Sequence, residues 1–337
     1  MQYNPVVNRR YAPSSRRDDP EWFMLPSTLA LDAFRAIEED HDAEVHDRHQ
    51  RLVIHRVPTM ARRAALRFRL LHAPRLAVAM DGSAETLAHV PQQPSGLGFL
   101  PDGRMLIASM RDRKVLRREG DGSLVEHADL SGLAPWHLND MLVNHDGQAW
   151  VGNFGFDLMG GAQALTTVLM CVEPDGTARV VADRLGFPNG MVLTPDGRTL
   201  IVAESTMNRL SAFNVASGSL GERRTWAAFG DPPASTDVGE MFGQVAVVPD
   251  GICLDAEGAV WVADAAHGRL VRVAEGGRIL EERKTDGVGV FACMLGGDDG
   301  RTLFASVAPT FHEAEASANH RASILMTTVE VPHAGLP

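Results

Sequence analysis

The chain has 337 residues, 45% of them hydrophobic, and a net charge of −11. That length suits one large all-β domain or two ordinary ones, and the acidic balance argues against a nucleic-acid partner. No apolar run approaches the roughly 18 residues of a membrane-crossing helix, so no membrane partner is expected.

The charge is uneven: residues 1–78 hold 13 Arg, no Lys and 10 acids, while the remainder carries 19 basic and 33 acidic residues. The three cysteines, Cys171, Cys253 and Cys293, contain no CxxC pair. An odd count without that spacing argues against a disulfide framework and fits a reducing cytosol, so a cytoplasmic protein is expected. The N-terminus lacks the apolar segment of a secretory leader.

Residues 1–20 are polar and Arg-rich, and they read as disordered. Residues 27–40 place Leu29, Leu31, Phe34 and Ile37 at near-helical spacing behind Ser27, which predicts a short amphipathic helix. Residues 41–78 have no clean period. His41, His46 and His49 fit no established ligand pattern.

From about Val78 a repeat begins. SGLGFLPDGRMLIAS (95–109), NDMLVNHDGQAWVGN (139–153), NGMVLTPDGRTLIVAES (189–205), DGICLDAEGAVWVAD (250–264) and FACMLGGDDGRTLFASV (291–307) each join two apolar strands through a turn ending in Gly. Glycine supplies the positive φ that such a turn needs. The turn glycines Gly103, Gly147, Gly197, Gly258 and Gly300 recur at roughly 40–60 residues, the period of propeller blades. Each unit is followed by a more polar strand pair, as KVLRREGDGSLVEHADL, TVLMCVEPDGTARVVAD, RLSAFNVASGSLGERRTW and RLVRVAEGGRILEERKT show. Two apolar and two polar strands make a four-stranded blade, and radial repetition leaves only short edges. A β-sandwich is the alternative, but sandwiches rarely repeat one hairpin pattern five times. Residues 154–164 and 230–249 read as loops over one face, where specificity commonly resides.

Nucleophile elbows, HExxH, phosphate loops and dinucleotide-binding glycine fingerprints are absent. Instead, a polar residue stands just before the inner strand of three units: Asn139, Asn189 and Asp250. Taken singly each reads as a turn residue. Their matching positions point to convergence on a central channel, where two amide oxygens and a carboxylate suit a hard divalent cation.

The segments QPSGLGFLPDG, HLNDMLV, GNFGFDLMGG, FPNGMVLTPDGRTLIVAE, PDGICLDAEGAVWVAD and FACMLGGDDGRTLF resemble the senescence marker protein/gluconolactonase (regucalcin-like) family of six-bladed propellers. The resemblance runs from about Val78 to the C-terminus. It implies one divalent cation (Ca²⁺, or Zn²⁺, Mg²⁺ or Mn²⁺) with Asn189 and Asp250 as ligands and Asn139 touching metal or substrate. It implies hydrolysis of small lactones, sugar-derived ones included, with Lewis-acid activation of carbonyl and water. Asp250 is then both ligand and candidate general base.

Two departures stand out. Many relatives carry Arg where this chain has His137, a substrate-binding candidate. The family's first blade opens with Glu-x-Pro-x-Trp, whose Glu is a third ligand, and no such motif exists here. Codons compatible with Arg56 to Ala61, read one base later, permit Glu-Ser-Pro-Arg-Trp. Those for Arg62 to Leu71 permit a following Asp-Gly hairpin. Residues up to about Val78 are therefore expected to be translated out of frame. The alternative is a divergent N-terminal extension, and the nucleotide sequence over codons 50–80 decides between them.

The expected organisation is an irregular Arg-rich segment over 1–77 and a propeller over 78–337. Its blades are four-stranded and its first blade is disrupted or missing. The incomplete ring predicts low stability, and loss of the first-blade Glu predicts weakened metal binding and impaired activity. The expected partner is a small-molecule substrate, and the oligomeric state is open. Alternative readings are a non-catalytic ligand- or protein-binding propeller and a phosphotriesterase-like hydrolase.

Overall fold

A computed structural model describes residues 23–24, 66–68, 74–78, 84–216, 218–311 and 321–335. The disorder expected over 1–20, the helix expected over 27–40 and the histidine-rich stretch after it lie outside these residues, as does most of the 1–77 segment.

The described strands form six antiparallel sheets. After β1 (Phe23–Met24) comes a three-stranded sheet of β2 (Leu66–Phe68), β3 (Pro74–Val78) and β4 (Ala84–His89). The second sheet holds β5 (Pro94–Phe99), β6 (Met105–Ser109), β7 (Lys114–Arg118) and β8 (Leu124–Asp129). The third holds β9 (Leu138–Val143), β10 (Ala149–Asn153), β11 (Thr167–Val172) and β12 (Ala178–Leu185). The fourth has five strands: β13 (Pro188–Leu193), β14 (Thr199–Glu204), β15 (Arg209–Ala216), β16 (Ser219–Leu220) and β17 (Arg224–Ala228). The fifth holds β18 (Pro249–Leu254), β19 (Val260–Asp264), β20 (Arg269–Val273) and β21 (Ile279–Lys284). The last contains β22 (Gly289–Gly296), β23 (Thr302–Ala308) and β24 (Ser323–Thr328), with β1 paired to β24, so strands from the two ends of the chain share one sheet.

The first strands of the full sheets stand side by side: β5 against β9, β9 against β13, β13 against β18, and β18 against β22. This is a β-propeller. The sequence gradient explains why each sheet points the same way. Inner strands such as β13 and β18 are buried at every residue, whereas outer β21 alternates between half-buried and exposed. Apolar runs seek the axis and alternating ones the rim. The core lies between neighbouring sheets, as where Ile201 and Leu210 pack with Ile252, Val262 and Val271. Cys171, Cys253 and Cys293 are buried free thiols. Burial pushes Cys171 up to about 11.

The turns are built as their glycines require. Gly103 N–H donates to Leu100 O at 2.8 Å and Gly197 N–H to Thr194 O at 2.8 Å. Both glycines lie in the left-handed region, at φ +86° and +70°, which a side chain disfavours.

Residues 230–249 are more than a loop. Within them, α1 (Val238–Gln244) is capped by Asp237, whose side chain accepts from Glu240 N–H at 3.0 Å. The sequence hid this helix because Gly239 and Gly243 depress its propensity. Burial of Met241 supplies what the local sequence lacks.

Candidate metal and substrate site

Asn139, Asn189 and Asp250 are each the second residue of an inner strand, β9, β13 and β18. Each falls where strand pairing slips. Regular pairing with the second strand is interrupted between Pro188 and Met191 and between Pro249 and Ile252, and the β10 partner shows the same break between Val151 and Asn153. A bulge frees a residue from the ladder and re-aims its side chain. This device positions all three residues, and the sequence pattern alone did not expose it.

Glycines then bring the strands together. A Cβ on Gly190 would lie 2.6 Å from Asp250 O and 2.6 Å from Ile252 N, and one on Gly251 would lie 2.7 Å from Ala292 Cα. The residues beside these glycines, Asn189 and Asp250, are thereby held on touching strands. All three site residues are nearly inaccessible, with Asn139 and Asn189 at 1% exposure and Asp250 at 5%.

The amides are oriented by a relay. Asn139 Nδ2 donates to Asn189 Oδ1 at 2.8 Å. Asn189 Nδ2 donates to Ser205 Oγ at 3.0 Å, and Ser205 Oγ donates to Pro249 O at 2.7 Å. Because the Asn189 amide nitrogen is committed to Ser205, its oxygen is turned toward Asn139. The relay ends on the carbonyl next to Asp250, so it ties all three strands together. Among the described residues, no group of three or more His, Cys, Asp or Glu stands together. The oxygen donors at the starts of these three strands are the amides of Asn139 and Asn189 and the carboxylate of Asp250. Amide and carboxylate oxygens are donors that suit a hard, oxygen-seeking cation, and Asn189 Oδ1 would exchange its bond to Asn139 for one.

His137 lies two residues ahead of Asn139. Its ring stacks on Trp136, with centroids 5.1 Å apart and planes at 24°, and it meets Phe154 at 6.3 Å. Phe154 in turn packs on Phe187 at 4.6 Å. Phe187, two residues before Asn189, holds φ +52°, a costly conformation for an aromatic residue. Its corner is restrained from several sides. Ser205 N–H donates to Phe187 O and Thr206 N–H to Gly186 O. Gly186 N–H donates to Glu204 Oε2 at 2.8 Å.

The two segments read as face loops meet each other. Ala164 N–H donates to Thr236 O at 2.8 Å, and Thr236 Oγ1 donates to Gln163 Oε1. Phe242 of α1 lies 6.5 Å from Phe311, which is also 6.5 Å from Phe291 at the start of β22.

Sequence reasoning missed Glu204 and Asp264. Both are 0% exposed and end the second strand of their sheets. Glu204 accepts from Arg209 Nε at 2.9 Å and from Ser211 Oγ. Asp264 accepts from Arg269 Nε at 2.9 Å and from Val248 N–H at 3.0 Å, and it lies 2.8 Å from His267 Nδ1. Burial works against the Arg269 charge, yet its bonds to Asp264 and Glu282 raise its pKa above the ordinary value. A signal was present in the sequence: each acid is followed five residues later by Arg.

These features define a β-propeller with Asn139, Asn189 and Asp250 near the starts of three adjacent inner strands. The chain belongs to the SMP-30/gluconolactonase/LRE-like family, whose pattern matches residues 60–309. It is 26% identical to regucalcin of Danio rerio over 199 residues, 58% of this chain and 62% of that protein. The chain thus spans less than two thirds of that relative. It is 24% identical to 6-deoxy-6-sulfogluconolactonase of Pseudomonas putida over 262 residues, 76% of this chain and 84% of the relative. A calcium-binding protein, regucalcin, from Agrobacterium tumefaciens has a similar structure. The TM-score is 0.65 at 19% identity, over 87% of this chain and 96% of that one.

Proposed function

We propose that this protein is a metal-dependent hydrolase that opens small lactones. The observation that carries the reading is the relay from Asn139 through Asn189 and Ser205 to Pro249, which joins the strands that carry Asn139, Asn189 and Asp250. Family membership and the named lactonase among its relatives support it. Asn189 and Asp250 would hold one divalent cation, with Asn139 touching metal or substrate; calcium is favoured by the calcium-binding structural relative. A bound cation would polarise the lactone carbonyl as a Lewis acid.

The remaining work falls to the chain. Water adds to the carbonyl carbon while the Asp250 carboxylate accepts its proton. The ring C–O bond then breaks, and the same proton passes to the departing alkoxide oxygen to give the hydroxy acid. Asn139 orients the substrate by hydrogen bonding. His137 presents a ring stacked on Trp136 where many relatives carry a guanidinium, so it offers a flat contact in place of a carboxylate clamp. The joined 154–164 and 230–249 segments cover the same end and limit substrate size.

The fold reading extends in the same way. The propeller is six-bladed, and the three-stranded sheet is its first blade without an inner strand: among the described residues no strand pairs with the outer edge of β2. The 1–77 segment is out of frame over the part that should supply that strand and its Glu. Titration with Ca²⁺, Mg²⁺, Mn²⁺ and Zn²⁺, followed by lactone hydrolysis assays on this chain and a frame-restored one, tests the reading. Absence of ion binding in both would overturn it.

A further inference from the structure

The corner that delivers Asp250 is held to an unusual degree by side chains. Arg269 Nη2 donates to Ala246 O at 2.6 Å. Val247 N–H donates to Asn208 Oδ1 at 3.2 Å, and Val248 N–H to Asp264 Oδ1 at 3.0 Å. Ser205 Oγ donates to Pro249 O at 2.7 Å. Four consecutive residues ahead of Asp250 thus each have a main-chain polar group taken by a side chain. The corner ahead of Asn189 uses the same chemistry, with Gly186 N–H on Glu204 and Arg209 bound bidentately to that carboxylate at 2.9 and 3.1 Å.

A buried carboxylate is costly unless paired and fully hydrogen-bonded. Glu204 and Asp264 meet that cost at equivalent points of adjacent sheets, and in both the backbone donor lies two or three residues ahead of a site residue. The same carboxylate–arginine unit also occurs at the opposite end of the fifth sheet. There Asp255, 0% exposed, accepts from Arg272 Nε at 2.6 Å and from the N–H groups of Glu257 and Ala259. That copy fixes a hairpin turn and leads to no site residue, so it separates a purely structural role from a positioning one.

We propose that Glu204 and Asp264 are positioning residues, which act through the Gly186–Pro188 and Val248–Pro249 corners to fix Asn189 and Asp250 in place. The proposal rests on the reading of those two residues as the metal-binding pair. Removing such an outer partner typically costs roughly 10–100-fold in metal affinity or activity.

The test compares Asp264→Asn with Asp255→Asn in the full-length protein. It adds Asp264→Asn/Arg269→Met, in which no buried cation is orphaned should the single variant fold poorly. Calorimetric titration with Ca²⁺ and kcat/KM for a simple lactone are measured alongside amide hydrogen exchange over residues 246–250. Asp264→Asn is expected to weaken Ca²⁺ binding and lower kcat/KM by about tenfold or more, and to speed exchange at Val248. Asp255→Asn should lower thermal stability and leave affinity, kcat/KM and that exchange unchanged. Equal effects of the two substitutions on affinity, or unchanged exchange over 246–250 in Asp264→Asn, would overturn the positioning role. If the unaltered protein binds no ion, the metal reading falls, and the exchange comparison judges the positioning role by itself.

Discussion

The third sheet and its two successors support their site residues by different means. Where the fourth and fifth sheets end their second strand in Glu204 and Asp264, the third ends in Asn153. Asn153 turns away from the corner: its Nδ2 donates to Val168 O at 2.8 Å and its Oδ1 accepts from Thr167 Oγ1 at 2.5 Å, both in its own sheet. One backbone bond is common to all three corners, since Ser205 N–H donates to Phe187 O and Ala265 N–H donates to Val248 O as Phe154 N–H does to His137 O. At the Asn139 corner, Leu138 N–H donates to Met110 O. The later corners differ in their N–H groups, with Gly186 N–H on Glu204 and Val248 N–H on Asp264. The charged clamp adds to the shared backbone bond and does not replace it.

Asp250→Asn separates the site from its supports and carries the largest expected effect. Hydrolysis should fall about 100-fold or more, the usual contribution of a general base, with the fold retained by circular dichroism. Unchanged turnover would remove Asp250 from the mechanism.

Glu204→Ala and Asn153→Ala test the comparison through stability in urea. Glu204→Ala orphans Arg209, which is 25% exposed, so about 3 kcal/mol of destabilisation is expected, the low end for a broken buried pair. Asn153→Ala leaves the Val168 carbonyl and the Thr167 hydroxyl without these bonds, at about 1–3 kcal/mol. The reverse order would contradict the distinction drawn between the two supports.

His137→Ala removes the ring stacked on Trp136 and should raise KM for a lactone about 2–10-fold with little change in kcat. A fall in kcat alone would assign His137 to the chemical step.

The smallest effect lies where the second and third sheets meet, at His127. Burial, then the Arg117 charge, holds its pKa below the ordinary 6.5. The unfolded chain therefore takes up the proton first as pH falls. Stability contributed by neutral His127 is present above 6.5 and declines as pH drops below it. His127→Gln should flatten the urea midpoint across that window, and an unchanged slope would count against the assignment.

The sequence made the blades legible because their chemistry is local. Apolar runs, Asp-Gly turns and polar outer pairs predict β5 to β15 and β18 to β23, and the turn glycines lie in the left-handed conformation they were read to need. Asn139, Asn189 and Asp250 were legible as equivalents. That the first two are hydrogen-bonded was not, since it depends on bulges in three inner strands. The helix at Val238–Gln244 was hidden by its glycines. Glu204 and Asp264 read as strand ends because burial and pairing across a sheet leave no local mark beyond the Arg five residues on.

The central claim is that Asn189 and Asp250 form a divalent-metal site that drives lactone opening. Its most direct test is hydrolysis of a small lactone measured with and without added Ca²⁺ after chelation, in the unaltered chain and in Asp250→Asn. We predict turnover that is lost on chelation, restored by the ion, and absent from Asp250→Asn under both conditions. Equal turnover in chelator, or ion-restored turnover in Asp250→Asn, would contradict it.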